Sequence, residues 1–228
     1  MSHGSSATPL RLRRYTSLKY ALDLLVRGKL ALTTQRGWQD KNDIFTIECF
    51  KALTGRRAVR ICCLADTKNT FHHWKVFCPA KDGVCVVFKT DMLSEALESK
   101  GVFLRSMHYI NIVRLGELGR IDPAELPYLK WDRYQDEREY RALWSRKKEM
   151  GPDLVRSIQI PAGAIESIIV SPLISERRTR AIIEQLKGMV AAYQKLKRIK
   201  ILRSGTRDSS KWRMAVLKKL SPRPEVEY

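Results

Sequence analysis

Leu129-Lys-Trp-Asp-Arg-Tyr-Gln-Asp-Glu-Arg-Glu-Tyr-Arg-Ala-Leu-Trp144 is the stretch whose reading decides the rest of this chain. As a strand, its period-two alternation puts Glu137, Glu139 and Arg141 on one face, and Arg138, Tyr140, Ala142 and Trp144 on the other. Two carboxylates about 7 Å apart beside a guanidinium are candidates for acid/base work. As a helix, Glu137 and Arg141 are an ordinary surface pair at i,i+4.

On either side the pattern predicts many short strands: Leu10–Tyr15, Lys29–Thr34, Val59–Leu64, Val84–Phe88, Val102–Met107, Tyr109–Val113, Val155–Ile160, Ser167–Val170 and Ile199–Leu202. Helices are expected between them. One starts at a Thr16 or Ser17 cap, carries Leu18, Ala21, Leu22, Leu25 and Val26 on its apolar face, and stops at Gly28. Others are expected at Ile44–Thr54, Phe71–Phe77, Met92–Ser99, Asp122–Lys130 (interrupted by Pro127) and Ser175–Lys195. Gln35–Asp43 reads as a loop. The expected fold is a single α+β domain over residues 10–203, after a disordered lead-in at 1–9 and before a basic tail at 204–228.

The chain has 228 residues and 44% hydrophobic content, enough for a sizeable core. No run of 18 apolar residues is present, so no membrane span is expected. The N-terminus lacks an apolar signal core, and five cysteines, at 49, 62, 63, 78 and 85, fit reduced thiols in a cytoplasmic setting. They lack the paired Cys-x2-Cys spacing of zinc fingers, so no metal is expected. Neither a Gly-x4-Gly-Lys-Ser/Thr loop nor a Gly-x-Gly-x2-Gly turn occurs. Any NAD would therefore bind outside a doubly wound dinucleotide fold.

Charge points to a partner. Lys and Arg number 43 against 24 Asp and Glu, a net of +19, and Ser175–Arg223 alone holds 15 basic and 3 acidic residues. A second basic cluster, Arg11, Arg13, Arg14, Lys19, Arg27, Lys29 and Arg36, opens the chain. Such a field attracts RNA, DNA or an anionic membrane surface. Lys195, Lys197, Arg198, Lys200, Arg203, Arg207, Lys211, Trp212 and Arg213 interleave cations with an aromatic, a pattern suited to gripping a phosphate backbone and stacking a base. A protein partner is left open.

The order of short motifs adds a resemblance. These are Arg14-Tyr15, Leu25-Val-Arg-Gly-Lys-Leu30, Asn42-Asp43 before Glu48, Ile61-Cys-Cys-Leu64, Trp74, Gly83-Val-Cys-Val-Val-Phe88, Trp131–Arg141 and Ile160-Pro161 leading to Ile168-Ile-Val170. Over roughly residues 12–172 the chain resembles the bacterial family catalogued as domain of unknown function 2971. It departs where Asn42-Asp43 runs into Ile44-Phe45 rather than Pro-Phe-Glu, and where Phe77 replaces a tyrosine three residues after Trp74. Arg14, then Thr33-Thr34, then Glu137-x-Glu139 is also similar to the order in ADP-ribosyltransferases.

That second resemblance implies a split mixed sheet with NAD as substrate. It assigns Glu139 to the oxocarbenium-like transition state and Glu137 to the acceptor nucleophile. Arg14, with Tyr15 beside it, would clamp the pyrophosphate, and Thr33 or Thr34 would hold the nicotinamide side. Trp74, with His72, His73 and Phe77, could stack a nicotinamide or a base, or simply be core. The expected activity is transfer of ADP-ribose to a nucleic acid or a protein bound to one, in a toxin or phage-defence setting. The alternatives are a non-catalytic nucleic-acid-binding module, and a nuclease holding Mg²⁺ on Asp40, Asp43, Glu48, Glu137 and Glu139.

Overall fold

The chain alternates strands and helices in the order β1 (Arg11–Ser17), α1 (Leu18–Arg27), β2 (Lys29–Thr33), α2 (Lys41–Thr54), β3 (Ala58–Ala65), α3 (Phe71–Phe77), β4 (Gly83–Lys89), α4 (Thr90–Glu98), β5 (Phe103–Ser106), β6 (His108–Ile110), α5 (Ile112–Glu117), β7 (Leu129–Trp131), β8 (Glu139–Arg146), β9 (Val155–Gln159), β10 (Ile165–Val170), α6 (Glu176–Ala192), β11 (Lys200–Arg203) and α7 (Ser210–Leu217). This computed structural model describes residues 10–79, 81–148, 155–206 and 209–219. The lead-in at 1–9, Arg207 and the tail beyond 219 lie outside the described residues.

Local chemistry sets several boundaries. Gly28 closes α1 in the left-handed region, at φ 64°, and its N–H returns to the Leu24 carbonyl. Asp40 caps α2, its carboxylate accepting from the N–H groups of Asn42 and Asp43. That cap draws Lys41–Asp43, expected in a loop, into the helix and fixes Asp43 on its first turn. Asn111 caps α5 in the same way, so the strand expected through Val113 stops at Ile110. Pro123 and Pro127 restrict the next segment to a 3-10 turn, Pro123–Tyr128. Beyond residue 204, Ser209 caps a further helix, α7, where only a polar tail was expected.

Nine strands form one mixed sheet, with β11-β10-β4-β1-β3-β2-β9 along one path and β8 then β5 attached to β3. Only β10 and β11 run parallel; the other pairs of this sheet are antiparallel. β4 is covered on both faces: Val84, Cys85, Val86, Val87 and Phe88 are all buried, which is why it reads as an unbroken apolar run. With helices on both faces, the chain is a single α+β domain. No helix among the described residues is long and apolar enough to cross a membrane.

The sheet forks at β3. One edge of β3 pairs with β8 along its whole length, from Ala58↔Arg146 to Ala65↔Glu139. The other edge meets β1 only at Ala65↔Arg13 and β2 only at Ile61↔Thr33. Alternation then divides the side chains. Leu12, Cys62, Leu64, Val84, Val86, Phe88, Ala142 and Trp144 belong to the large core that also takes in buried side chains of α1, α4 and α6. On the opposite face, Val59, Ile61 and Leu143 pack with Ile47 and Phe50 of α2. Cys85 and Val87 pack there with Trp74 of α3.

Candidate active-site cleft

Between α2 and α3 the second face is open. Cys63 lies in mid-sheet on β3 yet is exposed. An exposed side chain in mid-sheet marks an opening in the cover of that face, and Cys63 is the floor of the candidate cleft. Arg13 and Tyr15 stand on the β1 side of that floor, and Glu139 and Arg141 on the β8 side. Arg13, Ala65 and Glu139 share one row across three strands, so Arg13 and Glu139 lie about 10 Å apart, two strand spacings.

The β8 wall is an ion cluster. Arg141, 0% exposed, donates from Nη1 and Nη2 to the two oxygens of Asp43 at 2.9 and 2.8 Å, and from Nε to Glu139 at 3.0 Å. Its Nη1 also donates to the Pro127 carbonyl at 2.7 Å, and Trp38 lies 5.1 Å from its guanidinium carbon. Lys130 Nζ donates to Glu137 at 2.5 Å and to Glu139 at 2.9 Å. Every member is shielded from water, where an unpaired charge would cost several kcal/mol. Two cations and three carboxylates leave the cluster one negative charge in excess, closest to the cleft at Glu137 and Glu139.

The two glutamates reach Lys130 by different routes. Glu139 and Arg141 share a face by strand alternation. Glu137 ends a 3-10 turn, Asp132–Glu137, and Arg138 between them sits in the left-handed region at φ 43°. Burial acts to raise the Glu139 carboxyl, but Arg141, Lys130 and a hydrogen bond from the Cys63 thiol outweigh it and hold it below the ordinary value. Burial raises the Glu137 carboxyl, and Lys130 only partly opposes it. The environments push two neighbouring carboxyls apart: one is held ionised, the other binds a proton more readily.

The β1 wall is aromatic. Tyr15 stacks against His73 with centroids 5.6 Å apart and receives the edge of Trp74 at 4.9 Å. His73 Nε2 donates to the Glu137 carbonyl at 3.2 Å, leaving Nδ1 to accept from the Thr70 hydroxyl at 2.6 Å. His73 thus ties α3 to the turn that bears Glu137, and its burial lowers its affinity for a proton. Nε of Arg13 is buried and has no hydrogen-bond partner among the described residues, while the buried Tyr15 hydroxyl lies against the Thr70 backbone.

Several expected roles move. Arg14 does not share the cleft with Glu139: it faces the core side with Leu12 and reaches the Cys62 thiol inside the fork. Its neighbour Arg13 holds the cleft position. Trp74 is 0% exposed and its indole N–H is taken by Asn69, so it supports Tyr15 and has no free face for stacking a ligand. Thr33 is exposed at the β3 fork, and Thr34 turns into a separate basic pocket. The acidic set suggested for Mg²⁺ is dispersed: Asp40 caps α2 and Glu48 binds Lys51, while the other three carboxylates are occupied by Lys130 and Arg141. Among the described residues no group of three His, Cys, Asp or Glu is arranged to hold a metal.

Lys195, Lys197, Arg198, Lys200, Arg203, Lys211, Trp212 and Arg213 are all exposed, with Trp212 at 71%. Arg203 is paired with Glu176 at 2.7 Å. The structure also places Arg13 across the floor from Glu139 and Lys130 beside it, residues to which the sequence reading gave no site role. Arg13 was legible: Leu12 is a core residue by pattern, so Arg13 had to face the other way with Tyr15. Lys130 was not, because β7 is placed by non-local contacts, its parallel pairing with β6 and its packing on α2.

No family model matches the sequence, including one for the domain of unknown function 2971. No curated protein matches it either. Its structure is similar to three of DarT from Thermus sp. 2.9. The complex with carba-NAD+ is 13% identical at a TM-score of 0.40, with 87% of this chain and 97% of that chain covered. The complex with NAD+ is 14% identical at 0.41, covering 87% and 96%. The complex with ADP-ribosylated ssDNA is 14% identical at 0.42, covering 86% and 94%.

Proposed function

We propose that this chain transfers ADP-ribose from NAD to a nucleic acid, or to a protein bound to one, in the cleft above Cys63. One observation carries the reading. On one face of a forked sheet, a carboxylate held ionised by Lys130 and Arg141 stands across from Tyr15 and from an arginine whose buried Nε has no partner among the described residues. The Arg13 guanidinium is the group to take the NAD pyrophosphate, for which its fork geometry is suited. Tyr15, braced by His73 and Trp74, offers a hydroxyl and a ring edge to the bound dinucleotide.

In the reaction the bond between ribose C1′ and the nicotinamide nitrogen breaks, and its electron pair leaves with neutral nicotinamide. Positive charge develops on the ribose, and Glu139 is the anion placed to stabilise it. Because Lys130 and Arg141 already fix that carboxylate, little reorganisation is needed. The acceptor atom forms the new bond at C1′ and gives its proton to Glu137, whose raised affinity for a proton suits a base. Modification of nucleic acid would damage a host, which is the setting of a toxin or phage-defence effector.

A second reading has its own support. Both oxygens of Glu139 already have partners, and the residue is only 5% exposed. A nucleic-acid-binding module with a purely structural ion cluster would look the same. Labelled NAD incubated with mixed nucleic acid separates them. The transferase reading expects label on the nucleic acid, lost in Glu139→Gln while binding persists. Binding without label transfer or nicotinamide release leaves the module.

A further inference from the structure

We infer that a second site, at the β2 flank of α2, grips a backbone phosphate of a nucleic-acid strand. The cavity is about 280 Å3, and its lining includes Thr34, Gln35, Arg36, Lys51, Arg57 and Arg60. Three separate pieces of chain supply these groups: the loop after β2, the last turn of α2, and the residues that open β3. Four cations converge there. Among the described residues a carboxylate beside them, Glu48, is engaged by Lys51 at 3.0 Å and by Gln35. Arg36 and Arg57 are exposed at the mouth, while Arg60 lies deeper, 7% exposed.

The cavity of about 280 Å3 has room for a phosphate group. The donors present, guanidinium, ammonium, hydroxyl and amide, are those that bind phosphate. More cations continue at the same end of the sheet. Arg146 pairs with Ala58 across from the pocket strand, and Arg156 lies 4.1 Å from the Trp144 ring, opposite Arg60 on β8. Nε of Arg156 is buried and has no hydrogen-bond partner among the described residues. By strand parity Arg60, Arg146 and Arg156 lie on the large-core face with Trp144, so they widen the basic field around the pocket from the face opposite Cys63.

The site also sits usefully. Thr33, just before the pocket, pairs with Ile61, two residues from Cys63 on the cleft floor. A strand held by one phosphate here would have a neighbouring nucleotide within about 10 Å of that floor, a few strand residues away. The inference shares only its partner class with the proposed function and is read without NAD, so either can fail alone.

The test is fluorescence anisotropy of a labelled single-stranded oligonucleotide across a salt series, with inorganic pyrophosphate and NAD as separate competitors. The triple variant Arg36→Gln/Lys51→Gln/Arg57→Gln leaves buried Arg60 in place, and its melting temperature reports folding. Loss of one phosphate contact predicts about tenfold weaker binding and a log–log salt slope shallower by about 0.7. Pyrophosphate should raise the melting temperature of the wild type more than that of the variant, which keeps Arg13. The inference is overturned if the variant binds the oligonucleotide within twofold at an unchanged slope, or if it loses only NAD affinity. Should the triple variant not fold, Arg57→Gln alone must still lower the slope.

Discussion

Replacing Asp43 with alanine tests the ion cluster on which the cleft geometry depends. The Arg141 guanidinium is fully buried and gives two charge-assisted hydrogen bonds to Asp43, at 2.9 and 2.8 Å. Removing one partner of a buried pair costs about 3–5 kcal/mol. The lower end applies, because Glu139 and the Pro127 carbonyl still accept from Arg141. A loss of about 3 kcal/mol in a domain of this size lowers the melting temperature by about 6–12 °C. Urea and thermal denaturation measure it, with Asp23→Ala as control. That residue pairs with Arg27 on the exposed face of α1, a contact worth about 0.3–0.5 kcal/mol. If Asp43→Ala costs less than about 1 kcal/mol, the cluster behaves like a surface pair and the reasoning fails.

Trp74→Ala should cost about 3–5 kcal/mol in chemical denaturation, whereas Trp74→Phe should keep Tyr15 in place at a smaller loss. Arg138→Val should cost about 1–2 kcal/mol, because a branched side chain resists the left-handed region, and should uncouple Glu137 from Lys130; Arg138→Gly should be close to neutral. Burial lowers the folded-state pKa of His73, so the unfolded chain takes up its proton first. Stability should therefore fall as pH drops below about 6.5, and His73→Asn should flatten that part of the profile. Glu139 has the usual carboxylate sign: its depressed pKa stabilises the fold above about pH 4.3, and that contribution disappears as pH falls further through the folded-state value.

Much of the fold was legible because its signals are local. Val84–Phe88 is an unbroken apolar run and is a buried central strand. Phe71–Phe77 is helical as expected, and Gly28 stops α1 where a left-handed residue is needed. The split of the mixed sheet, expected from resemblance, occurs as two strands leaving one edge of β3. What escaped was set by caps and by distant pairing. The Asp40 cap moved Asp43 into α2, and Arg138 broke the alternation that would have put Glu137 on the strand. The choice between Arg13 and Arg14 turned on parity: adjacent residues on a strand face opposite ways, so a shift of one residue exchanges cleft for core.

The same parity supplies the most direct test of the proposed site. NAD titrated against the wild type, Arg13→Gln and Arg14→Gln by calorimetry distinguishes the two faces, with melting temperatures confirming that each variant is folded. Arg13→Gln should weaken NAD binding at least tenfold, the loss of one charge-assisted contact of about 1.5–3 kcal/mol. Arg14→Gln should bind NAD as the wild type does. Loss of binding in Arg14→Gln with Arg13→Gln unchanged, or no NAD binding by the wild type, would contradict the assignment of the cleft above Cys63.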